Sequence, residues 1–139
     1  MATVTPSWAY TLHLPHDPRA AGIARTTLRA VLRSHDLDGL AETAELVAGE
    51  LVGNAYRHTR GPCALRLRAA PGGRLRVGVW DTGPDVPAAF GAEAAMAPVE
   101  AEGGRGLLLV RLCAEQYGSY RLDSGQGGKL LWVECGPRP

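Results

Sequence analysis

The chain has 139 residues, 45% of them hydrophobic and 21% charged, and a net charge of +1. That length suits one domain around one core, the composition is that of an ordinary globular protein, and the charge supplies no basic stripe for nucleic-acid phosphate. The longest strongly apolar stretch, Leu107 to Val110, falls far short of the roughly 20 residues that span a bilayer, and no apolar secretory core follows Met1, so a cytoplasmic protein with neither a membrane nor a direct nucleic-acid partner is expected.

In chain order, residues 1–7 are polar, contain Pro6 and read as a frayed lead-in. Trp8 to Leu14 alternates with period two, as a strand does. Pro15-His16-Asp17-Pro18 turns the chain, and Pro18 suits a helix start. From Arg19 to Arg33, apolar residues recur at three and four, the mark of an amphipathic helix. A second helix is expected from Asp38, as its cap, to His58. Its buried face carries Leu40, Ala44, Val47, Leu51 and Ala55, with Asn54 and Glu50 flanking it.

Cys63 to Ala69 and Leu75 to Trp80 read as strands joined by a hairpin loop at Pro71-Gly72-Gly73. Asp81-Thr82-Gly83-Pro84 ends the second strand, and residues 85–103 read as a long loop with one helical turn. Loops of that length in compact domains are often lids. A helix from Arg105 to Gln116, a strand from Ser119 to Leu122, a glycine-rich turn and a last strand from Lys129 to Glu134 follow. Strands and helices without regular alternation predict an α+β two-layer sandwich.

Cys63, Cys113 and Cys135 are odd in number and share no Cys-x-x-Cys spacing, so reduced, buried or half-buried thiols are expected. His13, His16, His35 and His58 form no metal-ligand spacing. Trp8, Trp80 and Trp132 sit in strand patterns, as core or sheet-face residues.

Three short motifs carry chemistry. Gly103, Gly104 and Gly106 at a helix entrance offer unpaired backbone N–H groups to an anion, and missing side chains allow close approach. Asn54 offers a neutral oxygen to a hard cation such as magnesium, which keeps waters and substrate phosphates as its other ligands. Glu50, one helical turn earlier, has the chemistry of a general base. Asp81, at a strand end beside Gly83, can accept a hydrogen bond from an exocyclic amine. Each alone has a plain structural reading as a helix-start turn, a solvated or capping residue, or a turn aspartate. A Rossmann fingerprint and a P-loop are both excluded by the residues around Gly104-x-Gly106 and Gly128-Lys129.

Taken in order, Glu50 to Asn54, Asp81 to Gly83 and Gly104 to Leu107 resemble the N, G1 and G2 boxes of the GHKL superfamily, the Bergerat-fold ATPases. The resemblance spans about residues 40–135, and the run Glu50-Leu51-Val52-Gly53-Asn54-Ala55-Tyr56-Arg57-His58 looks most like the anti-sigma-factor serine kinases and their bacterial relatives. It implies a single ATP-binding domain over 1–139, with a mixed, mostly antiparallel sheet covered by helices on one face. It also implies ATP and Mg2+ as cofactors. Asn54 would hold the magnesium, Asp81 the adenine amino group, and Gly83 would let the base approach. Gly104, Gly106 and Leu107 would wrap the phosphates under a lid at 84–103, with Arg105 near a phosphate or a partner. Glu50 would activate a serine or threonine hydroxyl of an anti-sigma-factor antagonist, so that a sigma factor, the antagonist or both are the implied partners, and homodimerisation belongs to the same expectation. One departure stands out. The threonine often found in the last G-x-T-like segment is replaced around Gly127-Gly128-Lys129-Leu130, leaving Lys129 as the substitute for a lost phosphate contact. That departure keeps an alternative open, a non-catalytic, ATP-responsive module that sequesters a transcription factor or regulator.

Overall fold

The apolar and polar alternation of the strand-like runs is realised as β1 (Ala9–Leu14), β2 (Cys63–Ala70) and β3 (Arg74–Asp81). The computed structural model describes residues 7–87, 90, 106, 107, 110, 111, 114–122 and 127–136. Helices α1 (Ala20–Ser34) and α2 (Ala41–His58) lie between β1 and β2, and β4 (Gln116–Arg121) and β5 (Lys129–Cys135) close the chain. The five strands form one sheet in the order β1-β2-β3-β5-β4, antiparallel at every pairing.

Ala20, Ala24, Leu28 and Leu32, spaced by four, put one fully buried stripe along α1. That stripe packs on α2, and α2 in turn packs on β2, β3 and β5. The five residues read as the buried face of the second helix, Leu40, Ala44, Val47, Leu51 and Ala55, are all in the core. Arg29 and Glu45 join the helices at the rim by an ion pair of 2.5 Å, which lowers the Glu45 carboxyl below its ordinary value. An exposed pair of this kind adds little stability, and the packed alanine and leucine rows hold the helices together.

Period two then divides the sheet. Leu65, Leu67, Leu75, Val77, Val79, Leu131 and Val133 face the helices and join them in one cluster. Arg66, Arg68, Arg76, Trp80 and Trp132 alternate with them on the other face, which no described helix covers.

Three boundaries differ by more than one residue from those read in the sequence: the start of α2, the end of the helix read from Arg105, and the start of β4. Asp38 makes no capping hydrogen bond and instead opens a 3-10 turn, Asp38–Leu40, ahead of α2. Backbone bonds suffice there, since the Leu37 N–H donates to the Leu32 carbonyl at 2.8 Å and the Leu40 N–H to the Leu37 carbonyl at 2.9 Å. The helix expected to reach Gln116 stops earlier. Gly106, Leu107, Val110 and Arg111 are helical, but the Glu115 N–H already donates to the Glu134 carbonyl at 2.9 Å and Gln116 begins β4. The edge of β5 supplies a ladder of partners that a local helical pattern cannot reveal. Residues 1–6 of the lead-in read at 1–7, Gly103, Gly104, Arg105, Cys113 and most of the expected lid at 84–103 lie outside the described residues.

Two glycine turns separate backbone strain from steric collision. Gly72, in the β2–β3 turn, has a φ of 77° with open space around it. Gly128, just before β5, has a φ of 93°, and a Cβ there would collide with the Asp81 carbonyl oxygen. Gly72→Ala is therefore expected to cost about 1–2 kcal/mol, the left-handed penalty alone, and Gly128→Ala clearly more. Urea denaturation of the two variants checks the order.

Candidate functional site

At one end of the two central strands, β3 finishes on Asp81 and β5 begins on Lys129, paired directly across the ladder. Both side chains face the helices. Lys129 Nζ donates to Asp81 Oδ1 at 2.7 Å, with the side chains only 3% and 1% exposed. The Gly83 N–H donates to the same oxygen at 2.9 Å, and Lys129 Nζ reaches the Gly83 carbonyl at 3.4 Å. A Cβ at Gly83 would lie 3.0 Å from Lys129 Nζ and 3.1 Å from Thr59 Cγ2, so the absence of a side chain opens this corner. Among the described residues, no hydrogen bond falls on Asp81 Oδ2. The pair thus presents a carboxylate oxygen as acceptor beside an ammonium donor.

This placement changes the reading of Lys129. The sequence offers it as a substitute phosphate contact; the fold spends its charge on Asp81 instead. The cause is register, because the opposed residues at the ends of β3 and β5 are 48 positions apart in sequence and no local signal brings them together. Across the other ladder, Cys63 faces Asp81, and its thiol is pushed up to about 11, first by burial and then by the Asp81 charge.

Helix α2 supplies the second wall. Asn54 is 2% exposed, deeper than a residue flanking the buried face, and its amide makes no hydrogen bond among the described residues. Glu50, one turn earlier, is half-buried. Its carboxylate lies against Gly106, so closely that a Cβ at that position would collide with it. The first and third sequence motifs therefore meet in space, across 56 positions of chain from Glu50 to Gly106. Leu107 points the other way and is 2% exposed in the core, which leaves its backbone, not its side chain, for any ligand. His58 is exposed at the end of α2.

The donor set fits a hard cation held mainly by its substrate. Asn54 brings one neutral oxygen, and among the described residues no cluster of three His, Cys, Asp or Glu side chains exists to cage a metal. Magnesium characteristically takes few protein ligands and keeps waters and phosphate oxygens. No helix among the described residues is long and apolar enough to cross a membrane.

A family model described as the histidine kinase-like ATPase domain matches residues 14–134. Among solved structures, a chain in the crystal structure of the SiaB-SiaC complex from Pseudomonas aeruginosa is similar, with a TM-score of 0.64 over 90% of this chain and 88% of that one at 13% identity. At that identity the likeness speaks for the fold. No curated protein sequence matches the chain.

Removing one partner of a buried ion pair leaves an uncompensated charge, at a cost of about 3–5 kcal/mol, whereas replacing both is close to neutral. Lys129→Ala is expected to lose stability on that scale. Asp81→Asn combined with Lys129→Met keeps an acceptor for the Gly83 N–H and should recover most of it. Chemical denaturation of the two forms is the check.

Proposed function

We propose that this chain, which belongs to the histidine kinase-like ATPase family, binds ATP between α2 and the ends of β3 and β5 and transfers the γ-phosphate to a serine or threonine of a partner protein. The observation that carries the reading is the convergence of Glu50, on α2, with Gly106, from the third motif. Asp81 Oδ2 accepts the exocyclic amine of adenine, and the open corner at Gly83 admits the base. Gly106 and the backbone of Leu107 receive the phosphates; the resemblance adds Gly104, Arg105 and a lid at 84–103, of which Gly104, Arg105 and most of the lid lie outside the described residues. Asn54 holds Mg2+, which would neutralise phosphate charge.

Glu50 then takes the proton of the partner hydroxyl as its oxygen bonds to the γ-phosphorus, and the bond to the β-phosphate oxygen breaks to release ADP. What supports this role is that the half-buried carboxylate lies against Gly106, so that on this reading it stands at the mouth of the phosphate site, where such a hydroxyl must arrive. Phosphorylation adds charge at the partner's interface, which is how a sigma factor or its antagonist would be released in partner switching. The likeness to a chain of a two-protein complex is in keeping with a protein substrate.

A second reading rests on the Asp81–Lys129 pair. An aspartate already ion-paired is a weaker adenine ligand, and a chain that binds nucleotide this way can sequester a regulator without transferring phosphate.

Calorimetric titration with ATP tests the nucleotide site, and a phosphotransfer assay with candidate partners separates the two readings. Asn54→Ala should weaken binding in magnesium and leave magnesium-free binding unchanged. Asp81→Asn combined with Lys129→Met, which leaves no unpaired buried charge, should weaken both by roughly tenfold or more through the lost hydrogen bond to a charged group. Glu50→Gln should keep ATP affinity and reduce phosphotransfer to a partner by about 10²–10⁴. Transfer that survives Glu50→Gln removes Glu50 as the base. ATP binding by a wild type that phosphorylates no candidate partner leaves the sequestering module.

A further inference from the structure

The face of the sheet turned away from α1 and α2 is built in rows. One row runs Thr11, Arg66, Gly78, Trp132, Gly118, and the next runs Ala9, Arg68, Arg76, Glu134, Gln116, each residue directly opposite its neighbours. Among the described residues, four arginines, Arg66, Arg68, Arg74 and Arg76, stand on these strand faces against one carboxylate, Glu134, on a chain whose total charge is only +1. Arg76 is committed, since its guanidinium pairs with Glu134 and lies 3.9 Å from the centroid of the Trp132 ring. Arg66 and Arg68 have no ion-pair or hydrogen-bond partner among the described residues and are exposed. Arg68 also faces Arg76 directly across the ladder, a like-charge pairing that costs stability until an anion arrives.

Between these rows the surface sinks. Gly78 carries no side chain between Arg66 and Trp132, and a trough of about 420 Å³ opens there, walled by Arg66, Arg68, Arg76, Trp132, Leu130 and Tyr120. Trp132 is a fixed wall. Its ring lies over Gly118, where a Cβ would come within 2.6 Å of it, and Arg76 covers it as well.

We propose that this face docks an acidic segment of a partner protein, its carboxylates received by Arg66 and Arg68 and an apolar side chain seated over Gly78. Planar guanidinium groups receive carboxylates in bidentate fashion, and the apolar wall of Leu130, Tyr120 and Trp132 gives the neighbouring side chain a place to lose water. Two other occupants fit less well. A second copy of the same face brings the same excess of arginine and is repelled. Nucleic acid is held by many phosphate contacts, and of the arginines lining the trough Arg76 is already spent on Glu134 and the Trp132 ring, which leaves Arg66 and Arg68. The surface lies on the opposite side of the sheet from Asp81 and Lys129, so the proposal stands independently of the nucleotide site.

The test is fluorescence anisotropy with a labelled peptide of glutamates flanking one leucine, and the glutamine counterpart as control. The full chain should bind the glutamate peptide, more weakly as salt rises, and the control poorly. Arg66→Glu with Arg68→Glu, both on exposed positions, should weaken binding by about tenfold or more while ATP affinity stays at the wild-type value. Equal binding by wild type and variant, or no binding by wild type, overturns the proposal. A single-stranded RNA oligomer that displaces the peptide and binds more tightly reassigns the surface to nucleic acid. Sedimentation that shows a dimer abolished by the same substitutions reassigns it to self-association.

Discussion

A lysine ammonium buried against an aspartate is tolerated only where everything around it is fixed, because both charges give up their water. In this chain that demand is met at the last residue of β3 and the first of β5. A one-residue slip between those strands would turn one of the two charges to the other face. The pair therefore makes the register of the central ladder a matter of charge as well as of packing. It also gathers the neighbouring turns. The Gly83 N–H and carbonyl are both engaged by the pair, and Gly127 accepts from the Trp80 indole at 3.4 Å just beside it. Two irregular segments, after β3 and before β5, thus become walls of one corner.

Helix α2 adds the second constraint. It is the element through which α1 reaches the sheet, and it is also the one that carries Glu50 and Asn54. Its core face and its polar face cannot be adjusted separately. Burial of Val47, Leu51 and Ala55 sets the rotation of the helix, and that rotation aims Glu50 at Gly106 and sinks Asn54 almost wholly out of solvent. Packing supplies the aim, and the polar residues supply the chemistry.

Much of this was legible in the sequence. The period of the apolar residues gave both helices, the strands β1 to β3 and the hairpin at Pro71-Gly72-Gly73, because local patterning and core burial agree there. That the first and third motifs belong to one site was expected from the resemblance to the Bergerat-fold ATPases, and the contact of Glu50 with Gly106 is what the fold adds. What escaped were features decided by long-range pairing. Gln116 reads as the end of a helix and lies in a strand because β5 offers its edge. Asp38 reads as a cap and lies in a turn closed by backbone bonds alone. Lys129 reads as a phosphate ligand and is neutralised by Asp81, since the cross-strand register that joins them is written nowhere near either residue.

Cys63 gives this arrangement a chemical clock. The thiolate is the form that reacts with alkylating reagents, and a thiol held near a pKa of about 11 in the core, next to Asp81, offers almost none of it. Its reaction in a chain freed of other accessible thiols would count the moments at which the end of β2 parts from β3 and the corner loosens. A small molecule or partner that tightens the corner would slow the label without touching the sulfur, so the kinetics of one alkylation would read the local breathing of the protein directly.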